Sequence, residues 1–221
     1  VEGLEWIRLH YAYPTGFPMD ILNVIDEREN ICNYLDMPLQ HISDNMLKLM
    51  RRGTNSAKTY KLISQIREKI PNITLRTTLI SGHPGETEAD HIELMNFVEE
   101  MKFDRLGVFP YSHEENTHAG DTMQDDVSEE DKERRLSEIM ELQEGISREI
   151  NYKKVGKVFK TLIDRKEGDY FIGRTGADSP EVDNEVLITA GENYLKQGHF
   201  YNVKIEKAES YDLYGTAIES C

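Results

Sequence analysis

The stretch TTLISGHPGETEAD, Thr77 to Asp90, runs from an apolar segment through a turn holding two glycines and a proline into what reads as a helix. Thr87 followed by Asp90 is a capping-box spacing, so the helix is expected to start just beyond the turn. Two readings of Ser81-Gly82-His83-Pro84-Gly85-Glu86 fit this strand–turn–helix order. Any such connection needs turn residues, and such a turn also brings backbone N–H groups at a helix N-terminus within reach of a ligand.

Working outward, strand-like and helix-like segments alternate. Strands are expected at 6–13 (WIRLHYAY), 32–39 (CNYLDMPL), 73–80 (ITLRTTLI) and 104–112 (DRLGVFPYS). Helices are expected at 19–29, at 43–52 with Ser43 as N-cap and Gly53 as stop, at 56–70, and at 87–101. In the third of these, Tyr60, Ile63, Ile66 and Ile70 recur at helical spacing. Strands alternating with helices of this length read as βα units on a parallel sheet, whose ligands gather at the carboxyl ends of the strands. One long helix follows from Ser128 to about Lys154, with Leu136, Ile139, Met140, Ile146 and Ile150 as its expected buried stripe. Beyond Gly156 five short β-rich segments punctuated by Gly, Asn and Asp point to a small antiparallel barrel. The fold class is therefore α/β followed by a small β-barrel, with domains at 1–154 and 155–221.

The chain of 221 residues carries 26 basic and 41 acidic residues, a net charge of −15, which disfavours general nucleic-acid binding and suits a basic protein partner. No run approaches the roughly 18 apolar residues of a membrane span. Two distant cysteines, Cys32 and Cys221, form no disulfide framework and no CxxC pair, which fits a reducing, cytoplasmic setting.

HEENTH (113–118) resembles HExxH with one residue too many. At about 100° per residue its two histidines would lie roughly 140° apart on a helix, out of reach of one metal ion. Gln40 and His41 fall at the carboxyl end of a strand, where they either face the ligand rim or cap the next helix. Arg8 and Arg76 sit on strand faces with Trp6, His10 and Thr78. They either line a polar cavity holding an anionic group, or carry their heads out to solvent.

WIRLHYAYP, YLDMPLQHISDNMLKLMRRG, LRTTLISGHPGETEAD and DRLGVFPYSHEENTHAG occur in the order found in the radical S-adenosylmethionine methylthiotransferases, and the chain resembles that family over essentially its whole length. The resemblance implies a partial TIM-like (β/α) barrel followed by a TRAM β-barrel. It implies S-adenosylmethionine and two iron–sulfur clusters as cofactors of the parent enzyme. It favours the ligand reading of the turn, with Arg8, Gln40, His41, Arg76, Gly82, Pro84, Gly85 and Glu86 as cofactor-binding residues. GRTGADSPEVDNEV resembles the signature of the protein-modifying branch, which methylthiolates the β-carbon of an aspartate in the twelfth protein of the small ribosomal subunit. Glu114, Glu115, Asp178, Glu181 and Asp183 are then the substrate-docking residues. The tail from 155 holds 8 basic and 12 acidic residues, so a basic ribosomal protein suits it better than the tRNA of the sister branch.

The family's CxxxCxxC cluster motif does not occur in the sequence, which thus reads as the C-terminal half of the enzyme, a binding module when taken alone. A cubane cluster needs grouped thiolates. The purified chain is expected to be colourless and iron-free; brown cluster absorbance with stoichiometric iron would overturn that reading.

Overall fold

The computed structural model describes residues 2–190 and 194–220, so Cys221 lies outside the described residues. The chain gathers into two compact units. One is built from the start of the chain through Arg8, Asn30–Tyr34 and the stretch from Glu144 onward; the other from Leu9–Glu29 and Leu35–Gln143.

The elements run β1 (Ile7–Leu9), α1 (Ile21–Glu27), β2 (Ile31–Asp36), α2 (Asp44–Leu49), α3 (Ser56–Lys69), β3 (Thr74–Ser81), α4 (Glu88–Met101), β4 (Arg105–Pro110), α5 (His118–Thr122) and α6 (Glu129–Tyr152). The first four strands form one sheet in the order β1-β2-β3-β4. The β3–β4 ladder is parallel, in register from Arg76 opposite Arg105 to Ser81 opposite Pro110. This is the expected α/β architecture. The first strand is much shorter than its β-branched and aromatic composition implied. Tyr11 takes a left-handed φ of 57° and gives its N–H to Asp36 Oδ2 at 3.4 Å, which ends the extended run.

The helices cover this sheet with their apolar faces. Ile63 and Ile66 of α3, with Leu94, Phe97 and Val98 of α4, are buried, and Phe97 stacks edge-to-face on Tyr60 and Phe103 at 5.0 and 5.5 Å. The start of α4 is the expected capping box: Thr87 Oγ1 accepts from Asp90 N–H, and Asp90 Oδ2 accepts from Thr87 N–H.

The buried face of α6 differs from its apolar stripe. Ile139 and Ile146 are buried as expected, but Lys132, Arg135 and Gln143 complete the face while Leu136, Met140 and Ile150 are only half-buried. Each polar head has a partner: Lys132 Nζ donates to Asp125 and Glu129, Arg135 to Glu86, and Gln143 Nε2 to the Phe103 carbonyl at 2.9 Å. Pairing of this kind makes burial of a charged group tolerable.

In the other unit β5 (Val158–Glu167), β6 (Tyr170–Thr175), β7 (Val186–Thr189), β8 (Phe200–Ala208) and β9 (Leu213–Ser220) close into a barrel in the order β5-β6-β7-β9-β8. Its core is Ile163, Phe171, Val186, Ile188, Leu195, Val203, Ile205, Ala208 and Leu213. The barrel is not antiparallel throughout: β7 and β9 pair in parallel, from Val186 opposite Leu213 to Ile188 opposite Gly215. Parity requires this, since five strand directions cannot alternate all the way around a closed ring.

Two barrel glycines are set by close approach. A Cβ on Gly173 would stand 2.5 Å from the Leu162 carbonyl oxygen, and one on Gly215 2.5 Å from that of Lys204. Gly173→Ala is expected to lower stability by about 2 kcal/mol, the usual cost of overpacking, read as a lower urea midpoint. An unchanged midpoint would mean that the ladder yields freely there.

Candidate functional site

The carboxyl ends of β3 and β4 and the chain just past β2 open into a cleft of about 580 Å³, within the ordinary range of small-molecule sites. Leu49, Ile80, Phe109, Pro110 and Ala119 give it apolar walls; Gln40, Thr78, His83, Arg51 and Arg52 are its main polar groups.

Gln40 reaches the cleft through an unusual backbone. Its φ is 72°, yet it extends β2 by a single parallel bridge to Leu79, donating its N–H to Thr78 O at 2.9 Å and accepting from Ile80 N–H at 2.9 Å. A non-glycine residue in this region carries strain, which persists where surrounding bonds over-determine it. His83 is buried, with Nδ1 2.9 Å from the Pro84 carbonyl and its ring edge-on to Tyr111 at 5.1 Å. Burial lowers its pKa, so the ring stays neutral near pH 7.

The turn beside the cleft is closed by its own acid. Glu86 Oε2 accepts from Gly82 N–H at 2.7 Å and His83 N–H at 3.3 Å, while Oε1 accepts from Arg135 at 3.1 Å. The Gly85 N–H goes to Asp126 at 2.7 Å. The backbone donors that the sequence offered to a ligand are thus held by protein carboxylates. Both glycines have left-handed φ, 71° and 83°, and a Cβ at Gly82 would collide with Lys132 Cγ, one at Gly85 with Leu49 at 2.9 Å. Conformation and protein packing account for these two glycines. Pro84 is buried in the same turn.

His41 and Glu86 lie behind the cleft lining. His41 Nδ1 accepts from Ser43 N–H at 3.1 Å, so the ring proton is on Nε2, which has no hydrogen-bond partner and stands 4.0 Å from Glu86 Oε2. Burial pushes His41 down to about 3, and burial raises Glu86 against the opposing pull of Arg135. Asp90 is held down at about 2: burial works to raise it, but donors on Ser43, Thr87 and Asn45 prevail.

The other sequence candidates separate. Arg76 pairs with Asp36 at 3.3 Å. Arg8 lies in the barrel-containing unit, where its Nη2 donates to Gly176 O at 3.1 Å and its guanidinium stacks over Tyr34 and Trp6. Asp178 is fully buried and accepts from the Thr175 hydroxyl, and Asp183 accepts from Tyr34 Oη at 2.7 Å and Ser179 N–H at 2.8 Å; these two shape their own loop. Glu181, Glu114 and Glu115 are exposed, and Glu114 borders the cleft. His113 and His118 fall in a loop and at the start of α5, and no metal-ligating group of three occurs among the described residues.

Sequence reading missed Arg51, Arg52, Lys132 and Arg135. The latter two could have been found as an i, i+3 continuation of the Ile139 and Ile146 face, had polar residues been allowed on it.

A profile of the Radical SAM superfamily matches residues 3–98, and one of the TRAM domain matches residues 155–218. The chain is 59% identical over 219 residues to "Ribosomal protein uS12 methylthiotransferase RimO" of Cytophaga hutchinsonii, covering 99% of this chain and 50% of that protein. It is 60% identical over 215 residues to the protein of the same name in Flavobacterium johnsoniae, covering 97% and 49%. It spans about half the length of the curated relatives it matches. Among solved structures, coproporphyrinogen III oxidase (HemN) of Escherichia coli, described as a radical SAM enzyme, superposes with a TM-score of 0.52 at 24% identity over 64% of this chain and 32% of that one, a likeness of fold alone.

The neutral His41 ring makes stability pH-dependent. Unfolded histidine takes up a proton near pH 6.5, whereas the folded ring stays neutral down to about 3, so its contribution is complete above 6.5 and is lost as pH falls toward 3. At pH 5 the loss is about 2 kcal/mol. The stability gap between wild type and His41→Gln, measured by urea unfolding, is expected to narrow by that amount from pH 7 to pH 5; a constant gap would show that His41 protonates freely when folded.

Proposed function

Because the chain belongs to the radical S-adenosylmethionine methylthiotransferase family, we propose that it provides the cosubstrate cleft and the TRAM barrel of an enzyme that methylthiolates the β-carbon of an aspartate in ribosomal protein uS12. The observation that carries this reading is the 580 Å³ cleft at the carboxyl ends of adjacent strands, with apolar walls and few polar groups. That lining fits S-adenosylmethionine, which has one flat ring system and scattered polar atoms. Gln40, Thr78 and His83 would hold it, Gln40 from a backbone fixed in advance and His83 as a neutral ring that does not repel a sulfonium.

Bound in this cleft, S-adenosylmethionine would supply radical chemistry at the target carbon, and Gln40, Thr78 and His83 would hold it there. The chain's own residues perform binding, orientation and exclusion of water. Leu49, Ile80 and Phe109 wall the cleft with carbon, and the Glu86–Arg135 pair keeps the turn beside it rigid. The described residues do not fit an iron–sulfur cluster. Cys32 is the single cysteine among them, buried and with its thiol raised by desolvation, so cluster ligation is not their task. The exposed carboxylates Glu114, Glu115 and Glu181 suit a basic ribosomal protein. No helix among the described residues is long and apolar enough to cross a membrane.

Gln40→Ala is expected to weaken S-adenosylmethionine binding about tenfold, the loss of one to two neutral hydrogen bonds, without lowering the melting temperature. Incubation of the reconstituted full-length enzyme with uS12 should add one methylthio group to an aspartate by mass spectrometry. Unmodified uS12 beside modified tRNA would move the assignment to the tRNA branch.

A further inference from the structure

The helix α2 ends on a left-handed residue that is not glycine. Arg51 N–H donates to Lys48 O at 3.0 Å and Arg52 N–H to Leu47 O at 2.9 Å, the paired bonds of a Schellman motif. The residue after the C-cap in that motif takes a left-handed conformation and is usually glycine. Here it is Arg51, at φ 54°, and the glycine comes two residues later at Gly53. A strained backbone at a cleft points to a role for the side chain it presents.

That side chain is a free cation. Arg51 lines the cleft and is exposed, and its guanidinium makes no hydrogen bond, ion pair or ring contact among the described residues. Its neighbour Arg52 is committed, donating to the Pro38 carbonyl at 2.6 Å and stacking over Tyr13 at 4.6 Å. The cleft lining counts two arginines against one acid, Glu114. In a chain of net charge −15 the side chains lining the cleft therefore carry a positive balance, with Asp125 and Asp126 near enough to act on His83. A lining of positive balance with one unengaged guanidinium is made for a carboxylate, which arginine grips with two parallel N–H donors.

We propose that Arg51 is a specificity-determining residue that binds the side-chain carboxylate of the target aspartate and so selects aspartate over its neutral isostere. The inference rests on the methylthiotransferase reading and adds how the substrate side chain is held. Gripping the carboxylate leaves the adjacent β-carbon presented to the cleft, whereas an amide would leave the guanidinium without its counter-charge.

The test is equilibrium binding of two synthetic peptides spanning the modified segment of uS12, one with the target aspartate and one with asparagine there. It is run on the 221-residue chain as wild type, Arg51→Gln and Arg51→Gly, with S-adenosylmethionine affinity measured separately. Wild type is expected to prefer the aspartate peptide by about tenfold, in keeping with a charge-assisted bond. Both variants should lose that preference while S-adenosylmethionine affinity stays within twofold. Arg51→Gly should also melt about 2–4 °C higher, because glycine relieves the left-handed strain; a residue with a purely structural role would not give higher stability together with lost discrimination. Equal binding of both peptides by wild type would overturn the inference alone. So would loss of S-adenosylmethionine affinity with peptide preference intact, which would give the carboxylate to the cosubstrate. Binding of neither peptide by wild type would remove the uS12 reading and the inference with it.

Discussion

Glu86 closes the turn on itself, and the site's rigidity depends on that carboxylate. One oxygen collects the N–H groups of Gly82 and His83 and the other meets Arg135, so β3, α4 and α6 are tied at a single point. The position is dry, and an acid in a dry position is stable only with its full set of donors. Removing Arg135 would leave an unpaired buried carboxylate, the more damaging way to break such a pair. Asp90, four residues on, repeats the arrangement with donors from Ser43, Asn45 and Thr87, tying the start of α2 to the start of α4.

The polar interior has a further effect on the cleft. His41 and His83 are kept neutral by burial, and Lys132 and Arg135 are engaged with acids. The charge that a ligand meets is then set by a few side chains at the mouth rather than by the acidic surface as a whole. Screening at physiological salt acts over about 8 Å, so a cleft can differ in sign from the chain around it.

Periodicity and turn chemistry were legible because they are local. The capping box at Thr87 and Asp90, the Ser43 cap, the α3 stripe and the five barrel strands all appear where spacing placed them. The errors came from contacts distant in sequence. The first strand stops early because Asp36 takes the Tyr11 N–H, and the α6 face is rotated toward Arg135 because Glu86 awaits it. At the cleft, Gln40 and the neighbouring turn were legible from their position at strand ends, whereas Glu114 entered only through the family resemblance. Arg51 was not, since MRRG offers a glycine two residues on as the natural helix stop. Asp178 and Asp183 look like surface acids in a loop-rich stretch, and only the fold shows one buried and both hydrogen-bonded.

The Arg8 clasp sets a schedule on biosynthesis. Its guanidinium needs the Gly176 carbonyl, 168 residues later in the chain. At ribosomal elongation rates that separation is roughly 10–30 s. Throughout that interval Trp6 and Arg8 have been synthesised, joined later by Tyr34, while the Gly176 carbonyl has not. The nascent chain thus carries Trp6 and Arg8 without the carbonyl that completes their packing until almost four fifths of the 221-residue sequence has been made.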